Sequence, residues 1–180
     1  MRASVYIATS VDGFIAREDG SIDWLPVGDS NSDEDYGYQD FINSVDALVM
    51  GRNTYELVRS FSSWPYGDKP VIVLTTRPLE IPEDLSHTVT IMSGSPVEIV
   101  QGLAERGYKH LYIDGGKTIQ DFIREGMIQT LIITRIPVLI GSGLPLFGAV
   151  PNDIKLLHRE TIQFENGLVQ SRYEIPGESD

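Results

Sequence analysis

Six short runs of apolar and β-branched residues, at 4–8, 46–50, 71–74, 88–92, 110–113 and 129–136, recur along the chain with turn signals around them, and this repeat constrains the fold most. Each run suits a strand buried on both faces and is too short for a buried helix. Helical patterns with start signals lie between them. Ser95-Pro96-Val97-Glu98 is a capping box with proline at the first helical position, and it predicts a helix over 96–106 stopped by Gly107. Asn53-Thr54-Tyr55-Glu56 is a second capping box, directly after the run that ends at Met50, and a further helix is expected over 118–125. Strand–helix–strand repeats imply an α/β fold with a mostly parallel central sheet and helices on both faces. The end of the chain changes character. Two strand-like arms at 160–165 and 168–175 flank Asn166-Gly167, so the sheet is expected to finish in an antiparallel hairpin. With no repeat, low-complexity tract or linker, residues 1–180 read as one domain.

The formal net charge of −12 argues against a nucleic-acid backbone or an anionic membrane as partner, since both require a basic face. The most apolar run, 131–140, contains Thr134, Arg135 and Pro137 and is half the length of a membrane span. The first residues run straight into strand-like sequence without a signal-peptide cleavage region, so the expected location is cytoplasmic. The absence of cysteine removes disulfides, thiolate nucleophiles and Cys-based zinc sites, and His87, His110 and His158 form no ligand spacing, so no metal is expected.

Three strand ends present similar groups. Gly51-Arg52-Asn53-Thr54 follows one run, Thr75-Thr76-Arg77 the next, and Asp114-Gly115-Gly116-Lys117-Thr118 a third. In a parallel sheet such ends lie along one edge, where ligands bind. Gly115-Gly116 alone reads as readily as a plain turn, because the full dinucleotide fingerprint and the Walker pattern both need glycines that the chain lacks. Three clusters together suit a ligand with several phosphates. A dinucleotide is the natural candidate, and Thr75, Thr76 and Arg77 suit a ribose 2′-phosphate better than a free ribose, which calls for an acidic residue there. The bland alternative is that Arg52 and Arg77 are surface cations and the threonines are caps.

In chain order, Tyr6-Ile7-Ala8-Thr9-Ser10-Val11-Asp12-Gly13-Phe14-Ile15-Ala16, Met50-Gly51-Arg52-Asn53-Thr54-Tyr55-Glu56, Leu74-Thr75-Thr76-Arg77-Pro78 and Tyr112-Ile113-Asp114-Gly115-Gly116-Lys117 resemble the motifs of the dihydrofolate reductase superfamily. The stretch from Pro137 to Phe147 resembles the branch shared with the C-terminal reductase domain of bifunctional riboflavin-biosynthesis deaminase-reductases. The resemblance implies a dihydrofolate-reductase-like fold and NADPH as cofactor. It places Gly51, Arg52, Asn53 and Thr54 at the cofactor phosphates and Thr75, Thr76 and Arg77 at the 2′-phosphate. Gly115, Gly116, Lys117, Thr118 and Ile119 fall at the pyrophosphate turn, and Ala8, Ile15 and Ala16 beside the nicotinamide. Tyr6, Trp24 and Thr134 match positions near the reducible ring, and the polar loop at 17–35 around Trp24 resembles the mobile lid of the family.

The acid that fixes the pterin ring in dihydrofolate reductases falls on Asp35 by counting back from Met50-Gly51-Arg52, but on Gly37 if the helix is aligned by Phe41. Asp35 is therefore either a catalytic carboxylate or one of several solvated acids. The basic cluster that the riboflavin branch uses for its substrate phosphate is reduced to Arg59 within 56–62. The expected activity is hydride transfer from NADPH to a pterin- or aminopyrimidine-like small molecule, first the 5-amino-6-(5-phosphoribosylamino)uracil of riboflavin biosynthesis and second dihydrofolate. A non-catalytic nucleotide-binding module is the expectation from another class. The run at 131–140 suits an exposed strand of a homodimer or a buried strand equally.

Overall fold

The computed structural model of the chain describes residues 1–25 and 34–177. Eight strands form one sheet, in the order β5-β4-β3-β6-β1-β7-β10-β9. In chain order they are β1 (Arg2–Ser10), β3 (Ala47–Gly51), β4 (Val71–Leu74), β5 (Val89–Met92), β6 (His110–Asp114), β7 (Thr130–Ile136), β9 (Leu157–Gln163) and β10 (Val169–Glu174). The first six of these pair in parallel. The last two add antiparallel pairings at one side, as the Asn166-Gly167 turn implies. A two-stranded ribbon, β2 (Phe14–Ala16) with β8 (Leu144–Pro145), stands apart from the large sheet.

The central strands β3, β4 and β6 are apolar on both faces because both faces are covered. In β3, Ala47 and Val49 face one core and Leu48 and Met50 the other, following the two-residue alternation of a strand. The first core packs against α3 (Pro96–Glu105) through Ile99 and Leu103, and against α4 (Gly116–Arg124) through Ile119, Phe122 and Ile123. The second packs against α1 (Tyr38–Ser44) through Phe41 and Ile42, and α2 (Arg52–Arg59) through Tyr55. The dihydrofolate-reductase-like architecture expected from the sequence is thus present, with helices on both faces.

Two local expectations need correction, and one that the sequence left open between two readings is decided. The capping box at Ser95 forms, with Ser95 and Glu98 bonding reciprocally, but the one at Asn53 does not. Helix α2 starts one residue earlier, at Arg52, with Gly51 at its N-cap and no side-chain cap. Likewise α4 starts at Gly116 rather than 118, because Gly115 takes a left-handed φ of 88° and turns the chain directly from strand into helix. Finally, β7 is an interior strand between β1 and β10, so the run at 131–140 is not a free edge; the edge strand there is β9, exposed along its whole length.

Candidate active site

Because β4, β3 and β6 are adjacent and parallel, their carboxyl ends, with the three clusters expected from the sequence, meet at one edge. Two cavities open there and join at Asn53, Thr54, Gly115, Gly116 and Leu144.

The first arm, ≈ 680 Å³, runs between the N-terminal ends of α2 and α4. Gly51, Arg52, Asn53, Thr54, Thr75, Thr76, Gly115, Gly116, Lys117 and Thr118 all line it. Both helices have glycine at the N-cap and neither has a side-chain cap, so two sets of first-turn N–H groups and two positive dipole ends lie at this arm. Gly115 is required by how closely the two helices approach, and Gly51 and Gly116 are tightly packed. A Cβ on Gly115 would overlap Thr54 Oγ1, one on Gly51 would sit 3.1 Å from Thr118 Oγ1, and one on Gly116 would sit 2.8 Å from Ile15 Cδ1. This cradle fits a pyrophosphate-bearing dinucleotide. The cations beside it have protein partners: Arg52 donates to Glu56 Oε1 at 2.6 Å and to the Pro78 carbonyl at 3.1 Å, and Lys117 pairs with Asp121. Arg77 is exposed and outside the lining, its backbone N–H donating to Thr75 Oγ1. Ile119 is fully buried in the core beneath the α4 turn, where it supports the turn without reaching the cavity.

The second arm is a chamber of ≈ 1050 Å³ between β1, β6, α1, α2 and the segment after β2. Ala8, Ile15 and Ala16 line it near the junction, and Tyr6 lines it deeper in. Trp24 is half-buried and Thr134 buried, and neither reaches the chamber. Thr134 is linked to Tyr6 by Gln170: the Gln170 amide donates to Thr134 Oγ1, Tyr6 Oη and the Tyr36 carbonyl, while Tyr6 Oη donates to the same carbonyl at 2.8 Å.

Asp35 sits at the exposed start of α1, where its carboxylate accepts the backbone N–H groups of Gly37 and Gln39, both at 2.9 Å. These bonds hold its carboxyl below the usual range, so it is a well-stabilised anion at the chamber's mouth. A different acid occupies the floor. Asp114, the last residue of β6, projects from the same face as Tyr112, is part-buried and lines the cavity. Its Oδ1 accepts the Gly115 N–H at 2.8 Å, yet desolvation outweighs that bond and pushes its pKa up to about 6. Tyr38 and Tyr66 line the same floor, their hydroxyls held protonated by desolvation and by the nearby Asp114 charge; Tyr38 is pushed up to about 12. Sequence reasoning saw Asp114 only as part of a phosphate-binding strand end. The available signal was a lone carboxylate closing the apolar strand Leu111-Tyr112-Ile113, one residue before the glycines.

Comparison with known proteins decides the family. The RibD C-terminal domain family matches residues 4–170. The chain belongs to this family. Among relatives, the uncharacterised protein YwjB of Bacillus subtilis is 40% identical over 161 residues, covering 89% of this chain and 90% of that protein. Among solved structures, a Shewanella sp. PV-4 protein named for riboflavin biosynthesis is 39% identical with a TM-score of 0.91, covering 98% of this chain and all (100%) of that one. A dihydrofolate reductase from Enterococcus faecalis, 18% identical, shares the fold alone, with a TM-score of 0.70 over 98% of this chain and 97% of that one. The RibD-type branch and the wider dihydrofolate-reductase fold are therefore the ones that the sequence motifs resemble.

Proposed function

We propose that the chain is a single-domain, NADPH-dependent reductase that delivers hydride to a ring or imine carbon of a pyrimidine- or pterin-like small molecule. The observation that carries this reading is the junction of two dissimilar arms: a glycine-lined, doubly helix-ended cradle opening directly into an aromatic chamber floored by Asp114. Membership of the RibD C-terminal domain family supports the reaction class. When bound, NADPH supplies the hydride and its electron pair.

The protein's own groups do the rest. The first-turn N–H groups of α2 and α4 receive the pyrophosphate, with Arg52 and Lys117 beside it; Thr75, Thr76 and, from outside the cavity, Arg77 receive the 2′-phosphate. Ala8, Ile15 and Ala16 present small or apolar surface to the nicotinamide. Tyr6, fixed by Gln170, positions the reducible ring. The proton that balances the hydride comes from Asp114, whose raised pKa of about 6 leaves a useful fraction of the acid form near neutrality. Water bound by Asp35 at the chamber's mouth is the second route. A cytoplasmic location and a homodimer belong to the same proposal; the structure contains no helix, among the described residues, long and apolar enough to cross a membrane.

Titrating the protein with NADPH while following Trp24 and Trp64 fluorescence tests the cofactor. Saturation at micromolar concentration is expected. No response would leave the nucleotide cradle without its ligand and defeat the proposal, including its alternative as a non-catalytic NADPH-binding module.

A further inference from the structure

The two arms differ in charge as well as in shape. Five carboxylates line the chamber, from Glu18, Asp19, Asp35, Asp114 and Glu56, the last already neutralised by Arg52, and no lysine or arginine lines it among the described residues. Nearby cations are engaged elsewhere: Arg17 pairs with Asp23 at 2.6 Å, and Arg52 pairs with Glu56 at 2.6 Å on the cradle side. Arg59, the one cation within 56–62, does not line the chamber. The remaining lining is mostly apolar, with aliphatic side chains beside the aromatic rings of Tyr6, Tyr36, Tyr38, Phe61, Tyr66 and Tyr112. Asp114 has a single hydrogen-bond partner among the described residues, the Gly115 N–H, and faces the chamber with its other oxygen.

A phosphate or carboxylate carried into this chamber would meet the exposed carboxylates of Glu18, Asp19 and Asp35 and the part-buried Asp114 on its floor, with no lysine or arginine among the described lining residues to offset them, and like-charge juxtaposition is unfavourable, most so at the part-buried acid and less so at the exposed ones, which salt screens. A ring bearing amino or protonated nitrogen would instead find aromatic faces and a free carboxylate oxygen. We propose that the chamber is a charge filter: it admits a neutral or protonated nitrogen heterocycle that carries no phosphate or carboxylate, so the substrate is the dephosphorylated, tail-less form of its ring class. This rests on the reading of the chamber as the seat of the reducible ring. It narrows the substrate away from both phosphoribosylated aminopyrimidines and glutamylated pterins, and it leaves all anion binding to the cradle.

Two pairs of probes test it, each differing by one anionic group: 5-amino-6-ribosylaminouracil against its 5′-phosphate, and 6-hydroxymethylpterin against pterin-6-carboxylate. Binding is measured by calorimetry to the full chain, with and without NADPH. The uncharged member of each pair is expected to bind at least tenfold tighter, with the gap narrowing in 0.5 M salt and falling to threefold or less in the Glu18→Lys/Asp19→Lys variant. Equal or tighter binding of the anionic members, or no binding of either member, overturns the filter. NADPH titration is scored separately. Discrimination between the probes without any NADPH binding would defeat the reductase reading and leave the filter standing.

Discussion

The cradle and the chamber meet at Gly116, yet they are built by opposite means. The cradle is made of backbone: two helices with glycine N-caps, held so close that a Cβ on Gly115 would overlap Thr54. The chamber is made of side chains, which come from β1, β6, α1 and α2 and from loops far apart in sequence. Backbone sites tolerate little change at few positions. Side-chain sites spread their specificity over many positions, each changeable without disturbing the fold.

The sharpest way to break this contrast is Gly115→Ala. It adds a Cβ both at a positive φ and against Thr54 Oγ1, so it should cost about 2–4 kcal/mol of stability through strain and overpacking. NADPH affinity should fall by at least about 100-fold. Urea unfolding and fluorescence titration check both, and near-normal affinity would show that the cradle is not backbone-built.

Asp114→Asn examines the chamber. The reductase should slow by about 100-fold, the usual scale of one lost proton-transfer group, while NADPH affinity stays unchanged. Wild-type kcat should decline as pH rises through about 6, because the donating acid form is lost, and the variant should lose that limb. Stability should move the other way. The folded pKa lies above the unfolded value near 4, so the penalty is absent below about pH 4, grows between 4 and 6, and is complete above; the variant should therefore gain up to about 2 kcal/mol at pH 8 and nothing at pH 4. An unchanged pH profile would assign the proton to water at Asp35 instead.

The smallest expected effect belongs to Arg77→Ala. Since Arg77 is exposed and outside the cradle's lining, NADPH binding should weaken only about tenfold, with NADH unaffected. Equal losses for both dinucleotides would remove the argument for NADPH.

The same contrast explains what was legible in the sequence. Gly51-Arg52-Asn53-Thr54 and Gly115-Gly116 are contiguous, and each is tied to the end of a strand that announces itself by its apolar run. Parallel pairing then brings them together with no further information. The chamber has no contiguous signature: Tyr38, Tyr66 and Asp114 converge only after α1, the segment following α2, and β6 are packed. Asp35 and Asp114 look alike as letters. Only burial separates an exposed helix cap with a lowered pKa from a part-buried acid with a raised one. The interior position of β7 was hidden for a related reason, since a strand between two neighbours and a strand at a free edge can carry the same apolar pattern.

The sheet order also sets a timetable for folding. Strand β1 is made first, yet it lies between β6 and β7, with Ala3 opposite Leu111 and Ser4 opposite Thr130. On a ribosome it has no partner until more than a hundred further residues have been made, whereas β3 and β4 can pair far earlier. Strand β1, earliest of the eight in the chain and interior in the sheet, thus waits longest for its partners and is the strand most exposed to mispairing during synthesis.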